Sequence, residues 1–226
     1  MRTPHGFEGQ EKRVMLLNIA GSGNMARAIA ARAAFGDHQV RIINPHLESA
    51  RDLVTDLRQR FSGFDIGVGE QLGPADLNVI AVHYPTGKQV VQEARDRLAD
   101  QIVVDISNPV DMGSFDSLVV PADSSAAEQI QQVAGPAVRV VKAFNTIFAD
   151  LLEAGEGGGE PLDVLIAGDD ESAKMMVSQF ASSTDMRPLD VGPLRRAREL
   201  EAFEFLHMTM QQRLGLNQQS AIKILS

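Results

Sequence analysis

The strongest constraint on this chain lies between Val14 and Ala31. There VMLLNIAGSGNMARAIAA passes from an apolar strand through a glycine turn into an alanine-rich helix. The turn reads Gly21-Ser22-Gly23-Asn24-Met25-Ala26, a G-x-G-x-x-A spacing. Each small residue has its own task in a strand–turn–helix unit that holds a pyrophosphate. Gly21 permits the tight turn out of the strand, and Gly23 leaves the backbone bare where phosphate must approach. Ala26 lets the helix pack closely on the sheet. The helix N-terminus, with unpaired N–H groups and the positive end of its dipole, then faces the phosphates. Glycine turns after strands are common. The legible strand before this one and the helix after it make it a dinucleotide-binding pattern.

The remaining chain continues the alternation. Short apolar runs are expected as strands at 39–43, 64–68, 77–82, 102–106, 137–143, 162–167 and 187–190. Helical spacing appears at 46–61, 86–98, 171–183 and 194–214. A short helix opens at Ser124-Ser125, where Glu128 is placed to complete a capping box on Ser125. Residues 1–12 read as a loose tail before a single domain, 13–226, with a C-terminal helical segment. GEGGG (155–159) is expected to be a flexible surface loop, and 218–225 a last helix or strand. Strands alternating with helices imply an α/β fold: a single-domain, Rossmann-type, doubly wound and mostly parallel sheet of about eight strands, with helices on both faces. Ligands of such sheets lie in the crevice beyond the C-terminal ends of the strands. The punctuating motifs all fall at strand ends: Gly21-Ser22-Gly23, Asn44-Pro45-His46, His83-Tyr84-Pro85, Ser107-Asn108-Pro109 and Phe144-Asn145-Thr146.

Composition removes several function classes. The formal net charge of the 226 residues is -9, with no Lys/Arg block, which argues against a nucleic-acid surface. There are no cysteines, so disulfides and thiolate metal sites are excluded and a cytoplasmic location is the default. The start lacks the apolar core of a secretory signal, and the apolar runs are strand-length, too short to cross a membrane.

The crevice residues then sort by position. Gly21, Ser22, Gly23, Asn24 and Met25 are assigned to the pyrophosphate. The slot after the second strand, where NAD sites place an acidic residue for the ribose hydroxyls, holds Asn44. Asn does not repel a 2′-phosphate, and His46 is positioned to donate to one with Arg51 a helical turn further on, so NADP is favoured over NAD. His83, Tyr84, Pro85, Asn108, Ala143 and Asn145 are expected around the nicotinamide and its ribose. Asn is also an ordinary turn former, and Tyr84 has the alternative of capping the core. His207, Met208 and Met210 read as packing residues.

These segments resemble the NADP-dependent oxidoreductases of the deazaflavin coenzyme, 8-hydroxy-5-deazaflavin, and related bacterial reductases. The resemblance rests on IAGSGNMARAIA, VDISNPV, SSAAEQI, VVKAFNTIFADLL, VLIAGDDESAK and RPLDVGPLRRARELE, in order across most of Val14 to Glu201. It implies NADPH at the glycine turn, hydride transfer to a flat small-molecule acceptor such as a deazaflavin or flavin, and a homodimer. Family members typically place Gly-Ser-Arg at the second strand's end, where this chain has Asn44-Pro45-His46. The crevice motifs offer no His/Asp pair and no paired carboxylates. The expected mechanism is therefore direct hydride transfer by positioning, with Asp190 to Leu194 forming part of the acceptor's floor. Two alternatives stand beside it. One is a dehydrogenase or reductase of the hydroxyacid or pyrroline-5-carboxylate type, which carries a large helical C-terminal domain; here only about 30 residues follow the last strand. In the hydroxyacid group a lysine follows the asparagine on a helix, whereas Lys142 precedes Asn145. The other is a nicotinamide-sensing module without turnover.

Overall fold

The computed structural model describes residues 13–225, so the expected tail at 1–12 lies outside the described residues. Its main sheet has eight strands. In chain order they are β1 (Leu16–Ala20), β2 (Gln39–Ile43), β3 (Ile66–Val68), β4 (Leu77–Ile80), β5 (Ile102–Asp105), β6 (Arg139–Lys142), β9 (Asp163–Gly168) and β10 (Arg187–Gly192), ordered β10-β9-β6-β5-β4-β1-β2-β3 across the sheet. The helices are α1 (Asn24–Phe35), α2 (Leu47–Arg60), α3 (Tyr84–Ala94), α4 (Ala126–Ala134), α5 (Ala149–Ala154), α6 (Glu171–Ser183) and α7 (Ala197–Leu214). A 3-10 turn, Leu194–Arg196, leads into α7.

The core explains the layers. Buried Ala28, Leu53, Leu152, Val177 and Phe180 set α1, α2, α5 and α6 against Leu17, Ile42, Val104 and Ile166 in one cluster. Val91, Ala94, Ile130 and Ala134 set α3 and α4 against Ile80, Val103 and Val140 in a second, which Leu194 and Ala197 join. Strands covered on both faces read as continuous apolar runs, as β4, β5 and β9 do. Buried Arg32, in the last turn of α1, ties three helices together. Its guanidinium donates to the carbonyls of Ala154 and Thr184, at the ends of α5 and α6, and stacks 4.4 Å from the Phe35 ring centroid. No helix among the described residues is long and apolar enough to cross a membrane.

The sheet is mostly parallel, as expected: pairing is parallel from β3 through β6, and β9 runs antiparallel to β6, with Lys142 opposite Ala167. β10 follows β9 in parallel. The GEGGG stretch is an ordered hairpin rather than a loose loop: β7 (Glu156–Gly157) pairs with β8 (Glu160–Pro161). Gly158 and Gly159 supply the two left-handed residues (φ 64° and 82°) that a tight hairpin turn of this hand requires. α3 begins at Tyr84, two residues early, because His83 is extended and Pro85 fits a helix's first turn. Residues 218–225 form neither helix nor strand; the Ile224 N–H donates to Asp163 at 2.8 Å, which holds the tail beside β9.

Candidate active site

The C-terminal ends of β1, β2, β4, β5 and β6 share one edge of the sheet, and the chain's polar turns line it. At β1 the Gly21 N–H donates to the Ile43 carbonyl at 2.9 Å, locking the turn to β2. Gly21 has φ 120°, and any Cβ there would collide with the Ala81 carbonyl, so backbone conformation and close approach both require glycine. Gly23 differs. Its φ is an ordinary -78° and it starts α1 with no side-chain cap. A Cβ at Gly23 would meet nothing within 4 Å. The protein's own packing therefore does not ask for glycine at 23. The bare backbone opens onto an uncapped helix N-terminus, the arrangement that accepts a phosphate.

Ser22, Asn44 and His46 do come together. The Asn44 side chain donates to Ser22 Oγ at 2.7 Å and accepts from the His46 N–H at 2.8 Å. Asn44 thus braces the glycine turn, while His46 is exposed at the start of α2. Asn24 is exposed beside Gly23, and Met25 packs partly on the core.

On the other side of the crevice, Asn108 and Asn145 form a reciprocal pair. Asn108 Nδ2 donates to the Asn145 carbonyl at 2.9 Å, and Asn145 Nδ2 donates to Asn108 Oδ1 at 3.0 Å and to the Leu200 carbonyl at 3.3 Å. Phe144 takes a left-handed conformation (φ 62°), uncommon for an aromatic residue, to turn Asn145 back toward this edge. Asn145 is 3% exposed, and its Oδ1 has no partner. A buried acceptor left open is costly, and the amide of a nicotinamide is a donor of the right kind. The residues present thus fit a dinucleotide at both ends of the crevice. Ala143 is fully buried, with its N–H on the Asp105 carbonyl. His83 and Pro85 are exposed at the start of α3.

Tyr84 is placed differently from a stacking residue. It is buried, and its hydroxyl donates to Gln129 in α4. Burial, then the Glu201 and Asp105 carboxylates, push its ionisation above the ordinary phenol range. β9 and β10 run antiparallel to β6, so Asp190 to Leu194 start level with its C-terminal end, where Gly192 pairs with Ala167 and Ala167 with Lys142, and then turn back along it as the Leu194 N–H donates to Asp169.

Sequence reasoning missed two buried ionisable groups. Lys142, fully buried, donates from Nζ to Asp105 Oδ2 and Glu201 Oε1, each at 2.8 Å, and to the Ser107 carbonyl. Asp105 also accepts from the Ser107 N–H and hydroxyl. Glu201 accepts from the N–H groups of Ala126 and Ala127, capping α4. Burial opposes a charge on Lys142, yet the two carboxylates hold its pKa above the ordinary value. Burial raises that of Glu201, with Asp105 adding to the effect and Lys142 opposing it. The expected capping box on Ser125 is present, but Glu128 contacts the Ser125 hydroxyl and forms a bidentate pair with Arg198. The second group is Glu204 with His207, one and two turns beyond Glu201 on α7. The signal for both groups was polar residues on apolar surfaces: Asp105 and Lys142 end buried strands in adjacent register, and Glu201, Glu204, His207 and Gln211 share α7's buried stripe.

The fold and this edge define a dinucleotide-linked oxidoreductase on a single doubly wound sheet, and comparison with known proteins narrows the class. Residues 17–109 match the family of NADP oxidoreductases that are coenzyme F420-dependent. The chain is 28% identical over 194 residues to the F420-dependent NADP reductase of Methanocaldococcus jannaschii, covering 81% of this chain and 86% of that one. It is 34% identical over 192 residues to the metalloreductase STEAP3 of Rattus norvegicus, which takes in 84% of this chain but 36% of that protein's length. A solved structure from Arthrobacter sp. FB24, assigned as an F420-dependent NADP reductase, superposes with a TM-score of 0.81 at 26% identity, covering 94% of this chain and 100% of the other. The chain is thus similar to the NADP-dependent oxidoreductases of this deazaflavin-related family.

Proposed function

We propose that the protein transfers hydride between NADPH and a flat conjugated ring, a deazaflavin or flavin, stacked in the crevice. The observation that carries this reading is a pair of features on one sheet edge: the bare, uncapped turn at Gly23 and the unpartnered Asn145 Oδ1. The nicotinamide, when bound, supplies the hydride. The chain's own residues bind and orient. Gly23 and the N-terminus of α1 hold the pyrophosphate, and Asn44 and His46 stand at the adenosine ribose and its 2′-phosphate. Asn108 fixes the Asn145 side chain so that its oxygen accepts from the carboxamide. Asp105, Lys142 and Glu201 hold the ends of β5 and β6 and the start of α4 in one rigid frame, which is the positional accuracy that ring-to-ring transfer demands. A homodimer is part of the proposal, formed through the outer face of α7, where Phe203 and Leu206 are 44% and 56% exposed. A cytoplasmic location is proposed with it.

Two measurements test the reading. NADPH oxidation is expected with a deazaflavin or free flavin acceptor, with label from the nicotinamide appearing in the reduced ring. Tight NADPH binding without oxidation across flavin, deazaflavin, quinone and ferric-chelate acceptors would overturn it. Gly23→Ala should weaken NADPH about 100-fold by occupying the phosphate's space, while its unfolding midpoint stays close to wild type because the added Cβ meets no protein atom within 4 Å. An unchanged NADPH affinity would place the pyrophosphate elsewhere.

A further inference from the structure

Hydride transfer alone leaves a flavin-like acceptor one proton short. The electron pair enters the ring, a ring nitrogen becomes basic, and a proton must reach it. The crevice motifs read from the sequence supply no such donor, but α7 carries one. Leu200 accepts a hydrogen bond from Asn145 at 3.3 Å, and the His207 ring packs 4.8 Å from the Phe148 ring. Residues 200–207 of α7 therefore lie along the segment 145–148, at the crevice end of β6. Glu204 sits between those two contacts on the same buried stripe, about 6 Å along the axis from Leu200.

A hydrogen-bonded chain leads outward from Glu204. His207 Nδ1 is 3.0 Å from Glu204 Oε2, and His207 Nε2 is 2.8 Å from Ser220 Oγ. Gln211 Nε2 donates to Ser220 Oγ at 2.9 Å, and Gln211 Oε1 accepts the Gln218 N–H, also at 2.9 Å. Glu204 and His207 are buried, whereas Ser220 is partly exposed on the tail. A buried acid, a buried base and a surface hydroxyl thus form one line from the crevice end of β6 to solvent.

We propose that Glu204 is the proton donor to the reduced acceptor and that His207 and Ser220 return a proton to it from solvent; this rests on the function proposed above. One hydride and one proton reduce one acceptor ring. The Glu204 O–H bond breaks as a ring N–H bond forms, and the carboxylate is reprotonated from His207 Nδ1. The imidazole regains its proton at Nε2 through the Ser220 hydroxyl. The ionisable environment suits this role. Burial alone pushes the Glu204 carboxyl up to about 8, and burial lowers the His207 imidazole. Both are therefore neutral at neutral pH, with the proton on the carboxyl. Of the neighbouring charges, Glu201 lies one turn back on α7 and is tied to Lys142 of β6, which also holds Asp105 of β5. Segment 145–148 brings no ionisable side chain, and the tail brings Ser220 and Gln218 here while Lys223 is engaged with Asp163.

The test uses Glu204→Gln, which keeps the shape and a hydrogen bond to His207, and Ser220→Ala, which interrupts the outer link. Glu204→Gln should bind NADPH as wild type does, reduce free flavin about 100-fold more slowly at neutral pH, and lack the alkaline fall in rate expected of wild type near pH 8. Ser220→Ala should be slowed and then rescued by added imidazole buffer. Independently of turnover, infrared spectra of the cofactor-free protein should contain a protonated-carboxyl band that titrates near pH 8 and is missing in Glu204→Gln. Wild-type turnover with a superimposable Glu204→Gln pH profile, or the absence of that band, overturns the relay alone. No NADPH oxidation by wild type overturns the function and the relay with it.

Discussion

Lys142→Met is expected to cost 3–5 kcal/mol of folding stability, measured by chemical denaturation at neutral pH. The ammonium is fully buried and has three acceptors: Asp105, Glu201 and the Ser107 carbonyl. Removing it leaves two carboxylates facing each other without a cation in a space closed to water, which is the costly half of breaking a buried ion pair. The loss should shrink on acidification, because the Glu201 carboxyl, already raised by burial, takes up a proton and removes one of the charges the lysine had neutralised. Lys142→Met/Glu201→Gln should be less destabilised than Lys142→Met, since the second change removes one stranded charge; a double-mutant cycle reads that coupling directly. If Lys142→Met unfolds at the wild-type midpoint, the three groups are not a buried charge network. Any folded fraction should bind NADPH at least 10-fold more weakly, because Ser107 and the start of α4 lose their common anchor.

How far the sequence carried depended on how local the cause was. The β1–turn–α1 unit was legible because Gly21, Gly23 and Ala26 act within one short stretch. The Asn108–Asn145 pair was foreseeable as two strand-end turns, though not as partners, since 37 positions separate them. The direction of β9 was hidden because an apolar strand pattern carries no polarity. Direction is set by the connection. A parallel return must carry the chain back along the whole strand, and α5, at six residues, rises only about 9 Å. The chain therefore re-enters beyond the end of β6, with Asp163 the first residue of β9, and β9 runs back along β6. For Tyr84 the sequence leaves two places open, near the nicotinamide or capping the core, because the partner that holds its hydroxyl, Gln129, belongs to a helix 45 positions on. His207 was read as packing, and it does pack on Phe148. Its chemistry depends on Ser220, 13 positions later, in a tail with no regular pattern.

The second large effect is on stability against pH, and it is centred on Glu204. Burial raises its pKa from the ordinary 4.5 to about 8, so between those values the folded protein holds a proton that the unfolded chain has released. Stability then falls with rising pH. The contribution is fully present below the ordinary carboxylate range and is lost as pH passes through about 8, a change of about 4–5 kcal/mol at 1.36 kcal/mol per unit. His207 acts in the opposite sense. Its pKa is lowered by burial, so the unfolded chain takes up a proton on acidification that the folded one refuses, and stability falls on the acid side. Wild type should therefore be most stable at mildly acidic pH and weaken steadily toward pH 8. Glu204→Gln has no carboxyl at this position to ionise, so its stability should rise from acid through the His207 limb and then fall far less than that of wild type toward pH 8. Denaturation midpoints for the two proteins across the same pH series should cross. Parallel curves would mean that Glu204 is ionised in the folded state at neutral pH, and a carboxylate in that state has no proton to give.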